Sequence, residues 1–186
     1  TTGLSRNSSH VSVIAAYHGG TVRTFLYGEN LEDFLELADE TELLVTFNGS
    51  SFDLPFLEKT FNIPAIGCPH IDLRWVAWHA GYRGGLKSIE RQFDIRRPPG
   101  VEGIDGFEAV DLFYRWQNGD ADARRLLADY CAADALSTCL VAERLLKKAG
   151  CEIDCTENTI FDEKTSSSGT GQQTTIMQKN AVIMRI

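Results

Sequence analysis

Along this chain the apolar positions change their period repeatedly, and each change marks an element. His10–Tyr17 (HVSVIAAY) is apolar and β-branched, the pattern of a buried strand. His18-Gly19-Gly20 is a hairpin turn signal, so Thr21–Tyr27 is expected to return alongside it. Asn30 is expected to cap a helix whose apolar positions Leu31, Phe34, Leu35 and Ala38 follow helical spacing. Glu42–Asn48 predicts the next strand, and Asp53 to Phe61 the next helix, with Pro55 in its first turn where the missing donor is harmless. Pro64 to Leu73 contains a short strand ending in His70-Ile71-Asp72. A helical stretch follows through Trp75, Val76 and Trp78, broken at Gly81. Gly84-Gly85 introduces a short helix from Leu86 to Phe93 with Leu86, Ile89 and Phe93 on one side. Arg96–Asp105 reads as a loop, Phe107–Gln117 as a helix, and Asp120 to Lys148 as the strongest helix. Asp120 and Asp122 stand at its start, Lys147 and Lys148 in its last turn and Gly150 beyond, as the helix dipole and capping preferences require.

The order is therefore β-β-α-β-α-β and then mostly α. An antiparallel pair feeding a parallel crossover implies an α/β fold, a mixed sheet flanked by helices. No strand-like run precedes the hairpin, although the chain enters as if from one. After Cys151 the character changes. Thr165–Gln173 carries no apolar residue and reads as a linker, and Thr174–Ile186 has β-like composition. The expected division is a domain over 1–150 and, over 151–186, a linker and appendage without an assigned role.

A length of 186 residues fits one domain plus some extra, and 43% hydrophobic residues suffice for a core. No run approaches the roughly 18 apolar residues of a membrane span, and the first twenty residues form no signal peptide. The chain opens on Thr1 without Met and is expected to be cut or processed. Five cysteines without a repeated C-x-x-C pair suit cytosolic thiols and a cytoplasmic location. Cys151 and Cys155 lack the second ligand pair of a zinc site.

The net charge of −8 argues against a protein that coats polyanions, but a nuclease needs carboxylates and is not excluded. Glu29 to Glu42 holds seven acids and no base, the outer face of a helix. Arg74, Arg83, Lys87, Arg91, Arg96 and Arg97 form a basic island opposed only by Glu90 and Asp94. Such an island is a solvated face unless a site beside it turns it toward phosphate.

Two stretches carry candidate chemistry. In Asn48–Leu57 (NGSSFDLPFL), Asp53 stands where a strand has ended and a helix begins, the usual place for ligand chemistry in an open α/β sheet. Capping that helix is its alternative role. In DYCAADAL, Tyr130 and Asp134 are four apart on the strongest helix and share a face. Leu126, Leu127, Tyr130, Leu140 and Val141 mark the inward sector, and Asp134 falls at or next to it. A buried carboxylate there needs a partner.

Together, TTGL, NGSSFDLPFL and YCAAD resemble, in order and spacing, the three motifs of DEDD-type 3′–5′ exonucleases of the ribonuclease H-like superfamily, in the tyrosine variant. The stretch IDLRWVAWHAGYRGGLKSIERQFDI is similar to the corresponding part of the YprB-like predicted exonucleases, and the resemblance covers about residues 1–148. It implies a ribonuclease H-like fold and phosphodiester hydrolysis in DNA or RNA at two divalent ions roughly 3.5–4 Å apart, held by four carboxylates. By this resemblance Asp53 and Asp134 are metal ligands and catalytic, and Tyr130 orients the attacking water. Asn48 and Phe52 shape the nucleotide pocket, and Thr2, Gly3 and Leu4 line the terminal nucleotide. Mg²⁺ or Mn²⁺ suits such oxygen ligands. The expected partner is single-stranded nucleic acid or a 3′ end. Trp75 and Trp78 are expected in the core, with base stacking as their other role.

The first motif, D-x-E immediately before TTGL, lies outside this sequence, so the chain is expected to be impaired. Asp162-Glu163 are adjacent, and neighbouring strand side chains point to opposite faces, so they do not replace it. The alternative functions are a noncatalytic module that binds nucleic acid or protein, and an endonuclease of the same fold.

Overall fold

The structure, a computed structural model, describes residues 1–3, 9–151 and 181–186. Leu4, Cys155, the Thr165–Gln173 linker and the Asp162-Glu163 pair lie outside the described residues.

Five strands form one mixed sheet in the order β2-β1-β5-β3-β4. β1 (Val13–His18) and β2 (Thr21–Leu26) are an antiparallel hairpin closed by Gly19 and Gly20, both with positive φ as a tight two-residue turn requires. β3 (Leu43–Thr46) pairs in parallel with β4 (His70–Asp72). The segment without an assigned role supplies β5 (Ala181–Arg185), which lies in the middle of the sheet, antiparallel to β1 and parallel to β3. The hairpin therefore has its missing neighbour, contributed from far along the chain.

β5 reads AVIMR, a nearly continuous apolar run of the kind a strand covered on both faces requires. Val182 and Met184 pack with Ile14, Ala16, Leu44, Phe56 and Leu57 under α1 (Phe34–Asp39) and α2 (Asp53–Phe61). Ile183 faces the opposite layer with Val45, Ile89 and Val141. That layer holds α3 (Leu73–His79), α4 (Leu86–Gln92), α5 (Gly106–Gln117) and α6 (Ala121–Lys148). Arg185, two residues after Ile183, stands on the α6 side, because strand side chains alternate.

Most helix limits follow from local chemistry. Asp72, Asp105 and Asp120 cap α3, α5 and α6 through backbone N–H groups. Asn30 does not cap. Its Oδ1 accepts from Leu26 N–H and its amide donates to the Thr24 carbonyl, closing the end of β2, and a 3-10 turn over Leu31–Asp33 leads into α1. Trp75 and Trp78 are not core residues: they are 50% and 48% exposed on α3. The apolar stripe of this short helix is met by Leu73 and Ala77 alone.

Candidate functional site

The carboxyl ends of β5, β3 and β4 share one edge of the sheet, and the motif residues gather there. Asp53 opens α2 but makes no capping bond. Its side chain is fully buried and turned toward β5. Oδ1 accepts from the Ile186 N–H at 3.1 Å, and Oδ2 lies 3.3 Å from Arg185 Nη1. The same Nη1 donates to the Phe47 carbonyl at 2.6 Å. Asp134, on the face of α6 toward the sheet, is 5% exposed, and its Oδ2 is 3.8 Å from Arg185 Nε. Two carboxylates 81 residues apart in sequence thus meet on one guanidinium.

A second arginine closes the other side. Arg97 Nη2 stands 2.5 Å from Asp134 Oδ1, while its Nε and Nη2 grip Glu90 in a two-pronged pairing at 2.7–3.1 Å. Both Arg97 and Glu90 are buried, so this member of the basic island does not face solvent. Tyr130, one turn before Asp134, is half-buried, with the Arg97 guanidinium 5.7 Å and the Lys87 ammonium 5.8 Å from its ring centre.

Burial pushes the Asp53 carboxyl above its ordinary range, against the pull of Arg185 and the Ile186 amide. Burial also raises the Tyr130 phenol, helped by the Asp134 charge. For Arg185 and Arg97, burial opposes the charge, but the carboxylates around each outweigh it and hold both guanidinium groups ionised. The pairing is incomplete as hydrogen bonding. Among the described residues, Arg97 Nη1, Asp134 Oδ1 and Arg185 Nε are buried without an aligned partner. Charge holds this cluster more than fitted geometry does.

The Asn48 loop stands beside these groups and is held by a residue the motif reading missed. Asp72 accepts from Asn48 N–H at 2.7 Å, from Ser50 N–H at 3.1 Å and from Arg74 N–H at 3.1 Å, tying the loop to the start of α3. Asp immediately before a helical run (HIDLRW) was the signal that could have revealed it. Asn48 has φ 69°, and its Oδ1 accepts from Arg74 Nη1 at 2.5 Å. Gly49 is obligatory, since a Cβ there would lie 2.0 Å from Thr46 Oγ1. That hydroxyl accepts from Gly49 N–H at 3.0 Å and meets His70 Nε2 at 2.8 Å. Phe52 is half-buried and packs on Phe56 with ring centres 4.8 Å apart.

At the start of the chain, Thr2 is buried and exchanges bonds with His10: its N–H donates to the His10 carbonyl at 2.9 Å and its Oγ1 accepts from His10 N–H at 3.0 Å. A side chain at Gly3 would meet Ser9 Oγ at 2.6 Å. Away from the carboxylates, α3 presents Trp75 and Trp78 with Arg74 and Arg83 over their rings at 5.8 and 4.5 Å. Arg74, Trp78, Arg83 and Gly84 help line a cleft of about 330 Å³ at the start of α4.

The RNase_H_2 model, of the RNase H superfamily, matches residues 1–146. The chain belongs to the RNase H superfamily, as its mixed sheet with flanking helices agrees. Searches among curated proteins and among solved structures find no match. Domains of this kind generally use divalent metals. The donors present do not fit a metal pair: Asp53 and Asp134 each face a guanidinium, and the described residues hold no group of three or more His, Cys, Asp or Glu able to take an ion. No helix among the described residues is long and apolar enough to cross a membrane.

Proposed function

We propose that this chain is the nucleic-acid-end-binding body of a 3′–5′ exonuclease of the DEDD tyrosine type. Its carboxylate pair becomes hydrolytic only when further acids stand beside Asp53 and Asp134. The observation that supports this most is the meeting of Asp53 and Asp134 on one guanidinium at the carboxyl edge of the sheet, next to the Asn48–Phe52 loop, with Tyr130 one turn before Asp134. In this reading Asn48 and Phe52 border the terminal nucleotide. Thr2 and Gly3 act by shaping the backbone beneath it rather than by side-chain contact. Single-stranded DNA or RNA approaches over Arg74, Trp75, Trp78 and Arg83. Mg²⁺ or Mn²⁺ would be the ion of the completed site, on the chemistry of oxygen donors. A cytoplasmic setting agrees with Cys68, Cys131, Cys139 and Cys151 forming no disulfide among the described residues.

A protein extended upstream of Thr1 by a strand carrying D-x-E should shorten 5′-labelled single strands in Mg²⁺ or Mn²⁺. Asp134→Asn in it should abolish turnover with the fold intact, and Tyr130→Phe should slow it far less, within the typical 10²–10⁴-fold of an orienting group. An extended protein that folds and cuts neither DNA nor RNA would remove the exonuclease reading. One observation favours a second reading, a noncatalytic binding module: both carboxylates already have arginine partners. Single-strand binding without cutting by the extended protein would select it.

A further inference from the structure

Between the two motif carboxylates a cation is already seated, the guanidinium of Arg185. Arg185 arrives there because of its register in the sheet. Ile183 pairs with Val45 and Tyr17, and Arg185 with Ala15, which puts the guanidinium at the carboxyl edge on the α6 side. Three contacts fix it: the Phe47 carbonyl at 2.6 Å, Asp53 Oδ2 at 3.3 Å and, through Nε, Asp134 Oδ2 at 3.8 Å. The adjoining Ile186 N–H takes the other Asp53 oxygen at 3.1 Å.

We infer that Arg185 is the resident cation of this carboxylate pair, occupying by charge and position the place of a divalent ion, so that the chain in this arrangement takes no Mg²⁺ or Mn²⁺ between Asp53 and Asp134. The inference rests on those two residues being the superfamily's motif carboxylates. An octahedral Mg²⁺ requires oxygen donors at about 2.0–2.1 Å, and here Asp53 has one oxygen on a backbone amide and the other on a guanidinium. An arginine side chain stays protonated at any ordinary pH, so its positive charge cannot be removed to admit a second cation. On the far side Asp134 faces Arg97, which Glu90 anchors, so neither carboxylate turns to an ion without breaking an ion pair.

The pair is nonetheless short of aligned hydrogen bonds at Arg185 Nε and Asp134 Oδ1. Removing the guanidinium therefore leaves Asp53 without a cation and Asp134 with Arg97 alone, a deficit of positive charge that a divalent ion can supply. Arg185→Gln, a shorter side chain that is polar and neutral, tests this.

The experiment titrates the 186-residue chain with Mn²⁺ by calorimetry and, separately, follows Tb³⁺ luminescence. The wild-type chain should show no Mn²⁺ or Tb³⁺ signal that depends on Asp134. Arg185→Gln should gain one Mn²⁺ site, at least about tenfold tighter than any wild-type binding, that is, about 1.4 kcal/mol. That site should vanish when Asp134→Asn is added. Arg185→Lys, which keeps the charge, should stay silent. Stoichiometric Mn²⁺ binding by the wild-type chain that Asp134→Asn abolishes would overturn the inference. So would a folded Arg185→Gln chain that binds Mn²⁺ no better than wild type. If Arg185→Gln does not fold, the wild-type and Arg185→Lys titrations still decide. The titrations read metal binding by the 186-residue chain, and nuclease assays of the upstream-extended protein are run with and without Arg185→Gln. Cutting only with Arg185→Gln supports both readings, whereas cutting with neither removes the exonuclease reading and leaves the titrations to decide this one, so the two failures are distinguishable.

Discussion

A carboxylate at a helix start has two ordinary uses, capping or chemistry, and the two Asp residues at the edge of this sheet divide them. Asp53 leaves its own helix uncapped and turns into the sheet, whereas Asp72 caps α3 and braces the Asn48 loop with its remaining oxygen lone pairs. Asp72→Ala should therefore release three backbone donors at once in a mostly buried place. The expected loss is on the order of 2–3 kcal/mol, since each unsatisfied buried group costs roughly 1–3 kcal/mol and water recovers part. Urea unfolding reads this directly; a loss below about 0.5 kcal/mol would mean that the loop is held by something else. At this scale the motif carboxylates were legible in the sequence, because a strand end followed by a helix start, and an i,i+4 pair on an inward helix face, are local patterns. Their arginine partners were not. Arg185 and Arg97 reach Asp134 across separations of 51 and 37 residues, and nothing in a local window distinguishes a buried arginine from a solvated one.

The elements divide in the same way. Periodicity and punctuation placed β1 to β4 and α2 to α6 within a residue or a few, since caps, glycine turns and apolar spacing act over a single turn or strand. What they could not supply was the position of β5. The run Ala181–Arg185 reads as a strand on its own composition, but which neighbours it joins is decided by long-range pairing, and only its apolarity on both faces hinted at a central place. Met184 makes that place measurable. It is fully buried against the α1–α2 layer, so Met184→Ala should destabilise the chain by about 2–5 kcal/mol, the range for truncating a buried core side chain. A peripheral tail would lose less than about 0.5 kcal/mol. The equilibrium unfolding midpoint in urea, at unchanged slope, separates the two.

For the whole molecule, the sum of charges conceals the surface that matters for a nucleic-acid partner. A chain at −8 repels a polyanion on average, yet seven of its 26 acids cluster over Glu29–Glu42, while α3 and the following turn present Arg74 and Arg83 beside two exposed indoles. Those tryptophans were expected inside, because a hydrophobic count cannot tell a core stripe from a stacking surface; only the packing of Leu73 and Ala77 settles which side of α3 is inward. If single strands run over this face toward the Asn48 loop, base stacking and phosphate pairing should separate experimentally. Trp75→Ala and Trp78→Ala should each weaken single-strand binding by about 1–3 kcal/mol with the salt dependence unchanged. Arg83→Ala should instead flatten the slope of log affinity against log salt by about 0.7, the contribution of one phosphate contact on a single strand. Fluorescence anisotropy with a short labelled oligonucleotide, over a series of salt concentrations, reads both quantities. Binding indifferent to both tryptophans and to salt would place the nucleic acid elsewhere. It would also leave the cleft between α3 and α4 without a role in guiding an end to Asp53 and Asp134.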